Sequence, residues 1–251
     1  MGLLFLVGSL PAAIHSWKTE IKLLVNTENA AQAIQALKLD ERQAVKEIVC
    51  YFDTGDGALE AHQLILRARQ KAGQPGESTV KLLATAGATD WSDAERAIQP
   101  EQDWTRETDP ILLRSVDFKS LADGLVSKVA ARQAAVDQLF NQTQRKLVAA
   151  RMKEFAWESL RCYGPVEAEL WSRRTKLPGF AEAVTVELWH LRKDGRTQDL
   201  LEVSARAKVK TAAQAHTLAK QFFEAAKAAG LGEPTGQTKT QKVLEFFKPG
   251  R

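Results

Sequence analysis

KTEIKLLVN, residues 18 to 26, alternates charged and apolar side chains, with Lys18, Glu20 and Lys22 on one face and Thr19, Ile21 and Leu23 on the other. A period of two predicts a strand, here one with a charged face. Thr27 then reads as the N-cap of a short helix whose stripe is Ala30, Ile34 and Leu37. KEIVCYFDT and LEAHQLILRARQ follow as two strands joined by a turn through Asp53, Gly55, Asp56 and Gly57, a hairpin signature. The second of them carries Arg67 and Arg69 on one face. Beyond the QKAGQPGES turn, STVKLLAT predicts another strand, with Lys81 facing the same way as Thr79 and Leu83. Residues 87 to 101 are polar and irregular, with a short helix around Ser92 to Ile98, and WTRETD predicts a brief strand carrying Arg106.

Between about residues 115 and 162 the period changes. Leu121, Leu125, Val129, Val136 and Phe140, then Leu147, Phe155 and Leu160, recur at helical spacings, with Gly124 the single glycine and no proline. This predicts a helical insert, broken near Asn141, Gln142 and Thr143 into a hairpin or bent pair. It is read as a cover over one mouth of the fold or as a contact between two copies. Strands resume with VEAELWSRRTK, AVTVELWHLR and QDLLEVSARAKV, the last two joined at Lys193, Asp194 and Gly195. Glu202, Ser204, Arg206 and Lys208 share one face of the third. Thr211 caps a helix with the stripe Ala215, Leu218, Phe222 and Ala226, and Gly230 stops it. KTQKVLEFF, at the end, is read as a short closing strand.

About eight strands in hairpin-like succession, with helices as excursions, give an α+β class built on an antiparallel sheet. Residues 1–17 form an N-terminal extension and 18–251 one domain. The extension, MGLLFLVGSLPAAIHSW, has no basic region before a short apolar run, so an apolar extension or a mis-assigned start is preferred over an export signal. No other segment is apolar enough to span a membrane. Composition agrees with a globular protein, 44% hydrophobic and 26% charged. The 35 basic and 31 acidic residues leave a net charge of +4, too little to argue for nucleic acid. Cys50 and Cys162 are far apart in sequence and in no metal-ligand spacing, which predicts two reduced thiols and a cytoplasmic protein. The four histidines are scattered, and Trp171 and Trp189 read as packing residues.

The ordered charge on successive strands changes the picture. A solvated sheet scatters its polar residues, whereas here Glu20 and Lys22, Arg67 and Arg69, Lys81, Arg106, then Glu202 and Arg206 recur on single faces. If the sheet closes with its apolar face covered by helices, those charges line an accessible interior. Guanidinium and ammonium groups bind phosphate oxygens, and isolated carboxylates can hold a divalent cation that bridges them. That is the equipment of phosphoryl transfer.

Several of these segments resemble the CYTH superfamily, also called triphosphate tunnel metalloenzymes, and most closely a poorly characterised bacterial branch of it. Thr19-Glu20-Ile21-Lys22 is similar to the second half of its ExExK strand, YFDTGDGAL with LILRARQ to its YFDTxDxxL hairpin and LRxR strand. Thr79-Val80-Lys81-Leu82 is similar to its TLK or VKL strand, Leu201-Glu202-Val203-Ser204 to its late ElE or ELS strand, and TKTQKVLEFF to its closing segment with a TK lysine. The resemblance implies an eight-stranded antiparallel β-barrel tunnel flanked by helices, and a metal-dependent phosphohydrolase acting on an organic or inorganic triphosphate. The alternatives are a non-catalytic polyphosphate- or nucleotide-binding module and a class IV adenylate cyclase. It implies Glu20 and Glu202 as catalytic, metal-binding carboxylates, with Mg or Mn as the cofactor. Lys22, Arg67, Arg69, Lys81, Arg106, Arg206 and Lys239 would bind the phosphates, with Arg173 a further candidate. The implied partner is a triphosphate-containing small molecule or polyphosphate, with a homodimer as an open possibility. Two positions depart from the pattern: Lys18 stands where the first ExExK glutamate would be, and Ser204 where the second late glutamate would be, which leaves three alternatives, a weak metal affinity, one supplied by other acidic residues such as Glu107 or Glu187, or none.

Overall fold

The computed structural model describes residues 16–25, 30–84, 91–172 and 175–248. The N-terminal extension through residue 15, the Thr27 cap and Arg173 lie outside them. Nine strands close into a barrel: β1 (Trp17–Val25), β2 (Val45–Asp53), β3 (Leu64–Lys71), β4 (Gly76–Leu83), β5 (Pro100–Trp104), β6 (Ile111–Leu121), β7 (Arg161–Trp171), β8 (Val184–Lys193) and β9 (Arg196–Val209). Their order around the barrel is β1-β5-β6-β4-β3-β2-β7-β8-β9. Eight strands were expected, all antiparallel; there are nine, and β1 and β5 run parallel. Among the described residues seven α-helices accompany them: α1 (Ala30–Ala36), α2 (Ala58–Ala61), α3 (Asp93–Arg96), α4 (Leu125–Ala130), α5 (Gln142–Arg151), α6 (Ala212–Ala228) and α7 (Lys239–Phe247).

The alternation of β1 decides which way its wall faces. Ile21, Leu23 and Val25 point outward into a core shared with Val203 and Ala205 of β9 and with Ala215, Ala219 and Phe222 of α6. Leu66, Ala68, Val80 and Leu82 point outward on the opposite side, under Val126 and Val129 of α4 and Leu147 and Val148 of α5. Burying these apolar rows against helices leaves the charged rows facing the interior. The insert helices therefore pack on the outer wall, and Gln144 pins α5 there, donating to the carbonyls of Ser78 at 3.1 Å and Val116 at 2.9 Å.

Three segments differ from the sequence expectation. The insert is shorter than residues 115–162, because 115–121 continue β6 and 161 begins β7. The predicted break is real, since Asn141 and Gln144 form a capping box at the start of α5. The Asp/Gly turn after β2 opens into α2, so Ala58–Ala61 is helical and β3 starts at Leu64. Asp53 organises this turn: its Oδ1 accepts from the backbone N–H of Thr54 and of Leu59, both at 2.8 Å. The tight hairpin between β8 and β9 is as expected, with Asp194 and Gly195 at φ of 50° and 76°, the positive values its turn demands.

KTQKVLEFF is the third and largest correction, a helix in place of a strand. Thr238 and Gln241 form a capping box, and Val243, Leu244, Phe246 and Phe247 bury one helical face against Tyr51, Tyr163, Trp189 and Leu191. Those partners lie on the inner side of β2, β7 and β8, so α7 plugs one end of the barrel. Among the described residues, no helix is long and apolar enough to cross a membrane.

Candidate anion tunnel

The barrel interior is a cavity of about 580 Å³. Each strand delivers its inward row by simple alternation: Lys18, Glu20 and Lys22 from β1, Arg67 and Arg69 from β3, Glu77, Thr79 and Lys81 from β4, Arg206 and Lys208 from β9. Eight of the predicted site residues line it: Glu20, Lys22, Arg67, Arg69, Lys81, Glu202, Arg206 and Lys239. Lys239 reaches the cavity as the first residue of α7, where the sequence placed it on a strand. Arg106 does not line it. It lies past the end of β5, exposed, because that strand stops at Trp104, the first residue of WTRETD, instead of running on through it. Glu107 is exposed beside it, whereas Glu187 is in the cavity.

Four of the carboxylates inside form two cross-strand pairs. Glu20 lies beside Asp103 in the β1–β5 register, and Lys22 Nζ sits between them, 2.9 Å from Glu20 Oε2 and 2.5 Å from Asp103 Oδ2. Glu187 lies opposite Glu202 in the β8–β9 register, and Lys239 Nζ bonds both, at 3.0 Å to Glu202 Oε1. Trp189 backs this second group, donating its indole N–H to Glu187 Oε2 at 2.9 Å while its ring centroid lies 4.2 Å from Lys239 Nζ. Glu77 holds the arginine pair, with Arg69 Nη2 at 2.8 Å and Arg67 Nη2 at 3.8 Å from its Oε1.

Burial opposes charge throughout, and the ion pairs win. Despite burial, Lys22, Arg206 and Lys81 hold the Glu20 carboxyl well below its ordinary value. Lys239 likewise brings Glu187 down to about 2 against the effect of burial. Lys81 goes the other way. Burial and then its neighbour Lys22 lower its pKa, outweighing Asp103 and Glu20, although its Nζ lies 3.7 Å from Asp103 Oδ2. Arg67 Nη2 donates to Thr79 Oγ1 at 3.2 Å, but its Nε is buried and without a hydrogen-bond partner among the described residues. Glu47, on β2, is buried with both oxygens unpartnered among those residues, and burial followed by Glu187 raises its pKa.

Several lining residues were not anticipated. Asp103 sits on a five-residue strand too short to show alternation. Ser115, Asp117 and Lys119 line the cavity from β6, in a stretch where the apolar residues suggested helix. Glu77 was legible, two residues before Thr79 on the same face. Trp171 and Trp189 are buried packing residues as expected.

The residues present do not fit the divalent ion that the family resemblance implies. Glu20 stands opposite Arg206, and Glu202 stands opposite Leu24. Four residues of register separate the two carboxylates, roughly 13 Å at about 3.3 Å per residue. Each instead has a nearer carboxylate partner, with a lysine ammonium between. Among the described residues, no group of three or more His, Cys, Asp or Glu is placed to hold a metal ion.

The closed barrel with its outer helices is a fold shared with two solved structures, one named a candidate adenylate cyclase and one described by a triphosphatase activity. A Bacillus halodurans protein named a candidate adenylate cyclase has the same fold, with a TM-score of 0.57 and 14% identity over 90% of this chain and 96% of that one. A Hippeastrum protein described as showing a dominant triphosphatase activity gives 0.56 and 17% over 90% and 94%. No family model matches the sequence, and no curated protein does.

Proposed function

We propose that the tunnel takes in a triphosphate-bearing small molecule or inorganic polyphosphate and hydrolyses a phosphoanhydride bond in it. The observation that supports this reading is the cationic face of Arg67 and Lys81, in which the buried Arg67 Nε has no acceptor among the described residues and Lys81 is crowded by Lys22. A buried guanidinium N–H with no acceptor costs free energy, and an ammonium crowded by another cation gains from an arriving anion. Both groups face one cavity, where a phosphate oxygen supplies an acceptor to Arg67 and an opposite charge to Lys81. Arg69 and Arg206 extend the same wall.

In hydrolysis, these cations offset charge on the equatorial oxygens of the transferring phosphoryl group. The proton of the attacking water goes to a carboxylate, for which Glu202 and Glu187 are the candidates. Lys239 holds both of them beside the cavity. The bridged carboxylate pairs favour a second reading, a module that binds the anion without turnover.

Phosphate release from tripolyphosphate, ATP and thiamine triphosphate, with and without Mg or Mn, separates the two. Release that falls sharply in Glu202→Gln supports the hydrolase. Saturable binding with no release on any substrate supports the binding module, and absence of both removes the tunnel reading altogether.

A further inference from the structure

We propose that Lys22 and Lys239 are resident cations standing where a divalent metal would otherwise be held, so that the tunnel grips its polyphosphate without metal. The inference rests on the tunnel being a polyphosphate site, and concerns how that site handles charge. Two carboxylates converging on one point is the arrangement that captures Mg or Mn together with substrate oxygens. The tunnel contains this arrangement twice, Glu20 with Asp103 and Glu187 with Glu202, and an ammonium fills the point both times.

The surrounding contacts make the two lysines hard to displace. Glu20 has no oxygen to spare, since Oε2 is on Lys22 and Oε1 accepts from Arg206 Nε at 2.8 Å. Glu187 Oε2 is shared between Lys239 and the Trp189 indole. A dication entering either pair would meet the ammonium at contact distance, and beside Glu20 the Arg206 guanidinium as well, with strong repulsion in a partly dry cavity. Lys18 extends the pattern: it occupies the next inward position of β1 and is paired with Glu101 at 2.9 Å. The side chain that departs most sharply from the metal-binding pattern thus belongs to a run of tethered cations.

The two lysines are not equivalent. An ammonium has three N–H donors. Lys22 spends two on Glu20 and Asp103, leaving one for a phosphate oxygen beside Lys81, which lies 3.7 Å from the same Asp103 oxygen. Lys239 spends two on its glutamates, and Trp189 covers its remaining side. Lys22 is therefore the resident cation that touches the ligand, and Lys239 the one that holds the carboxylates.

Calorimetric titration of inorganic tripolyphosphate into the full chain tests this, once in EDTA and once with excess Mn(II), alongside Mn(II) titration followed by electron paramagnetic resonance without polyphosphate. The expected result is a dissociation constant equal within about threefold in the two buffers, with no stoichiometric Mn(II) bound by the wild type. Lys22→Met, checked for folding by circular dichroism, is expected to acquire Mn(II) binding at the freed Glu20 and Asp103. Tripolyphosphate binding that requires metal, or stoichiometric Mn(II) on the wild type, overturns the inference and leaves the tunnel reading standing. Failure to bind tripolyphosphate in either buffer overturns both.

Discussion

Lys239 Nζ lies 3.0 Å from Glu202 Oε1, joining the first residue of the plug helix α7 to the inner wall of β9. Glu187 shares the same ammonium, so one cation compensates two buried carboxylates. Lys239→Met leaves them facing each other uncompensated. Removing one member of a buried ion pair costs about 3–5 kcal/mol, and urea denaturation at neutral pH is expected to read a loss of that size. The loss should shrink on acidification, because a proton taken up between two adjacent carboxylates relieves their repulsion. A loss that is the same at pH 7 and pH 5 would show that packing of α7, and not charge, is what Lys239 provides.

The pH dependence of the intact protein follows from the same pairs. The folded state holds Glu187 at about 2, below its ordinary 4.5, and Glu20 is shifted in the same direction. A carboxyl with a depressed folded value binds its proton less tightly in the fold than in the unfolded chain. Its ionised form stabilises the fold fully above about pH 4.5, and that contribution is lost as pH falls toward 2. Stability measured across this window is expected to fall for the wild type and to fall less steeply for Glu187→Gln. Equal slopes would place the acid sensitivity elsewhere.

Glu47 gives the opposite sign. Burial and Glu187 raise its pKa, so the fold disfavours its ionised form at neutral pH. Glu47→Gln is expected to raise the urea midpoint near pH 8 and to leave it unchanged below about pH 4, where both folded and unfolded carboxyls carry a proton. Destabilisation at pH 8 would show that Glu47 has an ionic partner it needs.

Much of the barrel was legible because alternation reports which face a side chain joins, and it does so for any strand of seven or more residues. Lys22, Arg67, Arg69, Lys81 and Arg206 were placed on the inner wall for that reason. Arg106 was misplaced because β5 contributes only five residues, and a window that short cannot fix where a strand ends. The same brevity hid Asp103. The β6 residues 115–121 were absorbed into the insert because Leu121 continues the helical spacing of Leu125 and Val129, so two periods overlap at the boundary. What no pattern along the chain could report is the pairing of Glu20 with Asp103, which depends on register between strands distant in sequence, whereas the pairing of Glu187 with Glu202 follows from the β8–β9 hairpin.

The misreading of α7 has a local cause with its own test. Val243, Leu244, Phe246 and Phe247 suit a strand as well as a helix, and the deciding signal is Thr238 with Gln241 three residues on, reciprocal caps for the first turn. Thr238→Ala is expected to cost about 1 kcal/mol, with Thr238→Ser restoring most of it. An unchanged urea midpoint in Thr238→Ala would mean that the plug is held by its apolar face alone.

Binding of a polyphosphate anion by the cationic wall of this barrel is read most directly by calorimetric titration of inorganic tripolyphosphate into the wild type and into Arg67→Ala/Arg69→Ala. Hydrogen bonds to charged groups contribute about 1.5–3 kcal/mol each, so losing both side chains is expected to weaken binding at least about 100-fold while circular dichroism stays unchanged. A wild type that does not bind tripolyphosphate, or a double variant that binds it equally well, would contradict the account.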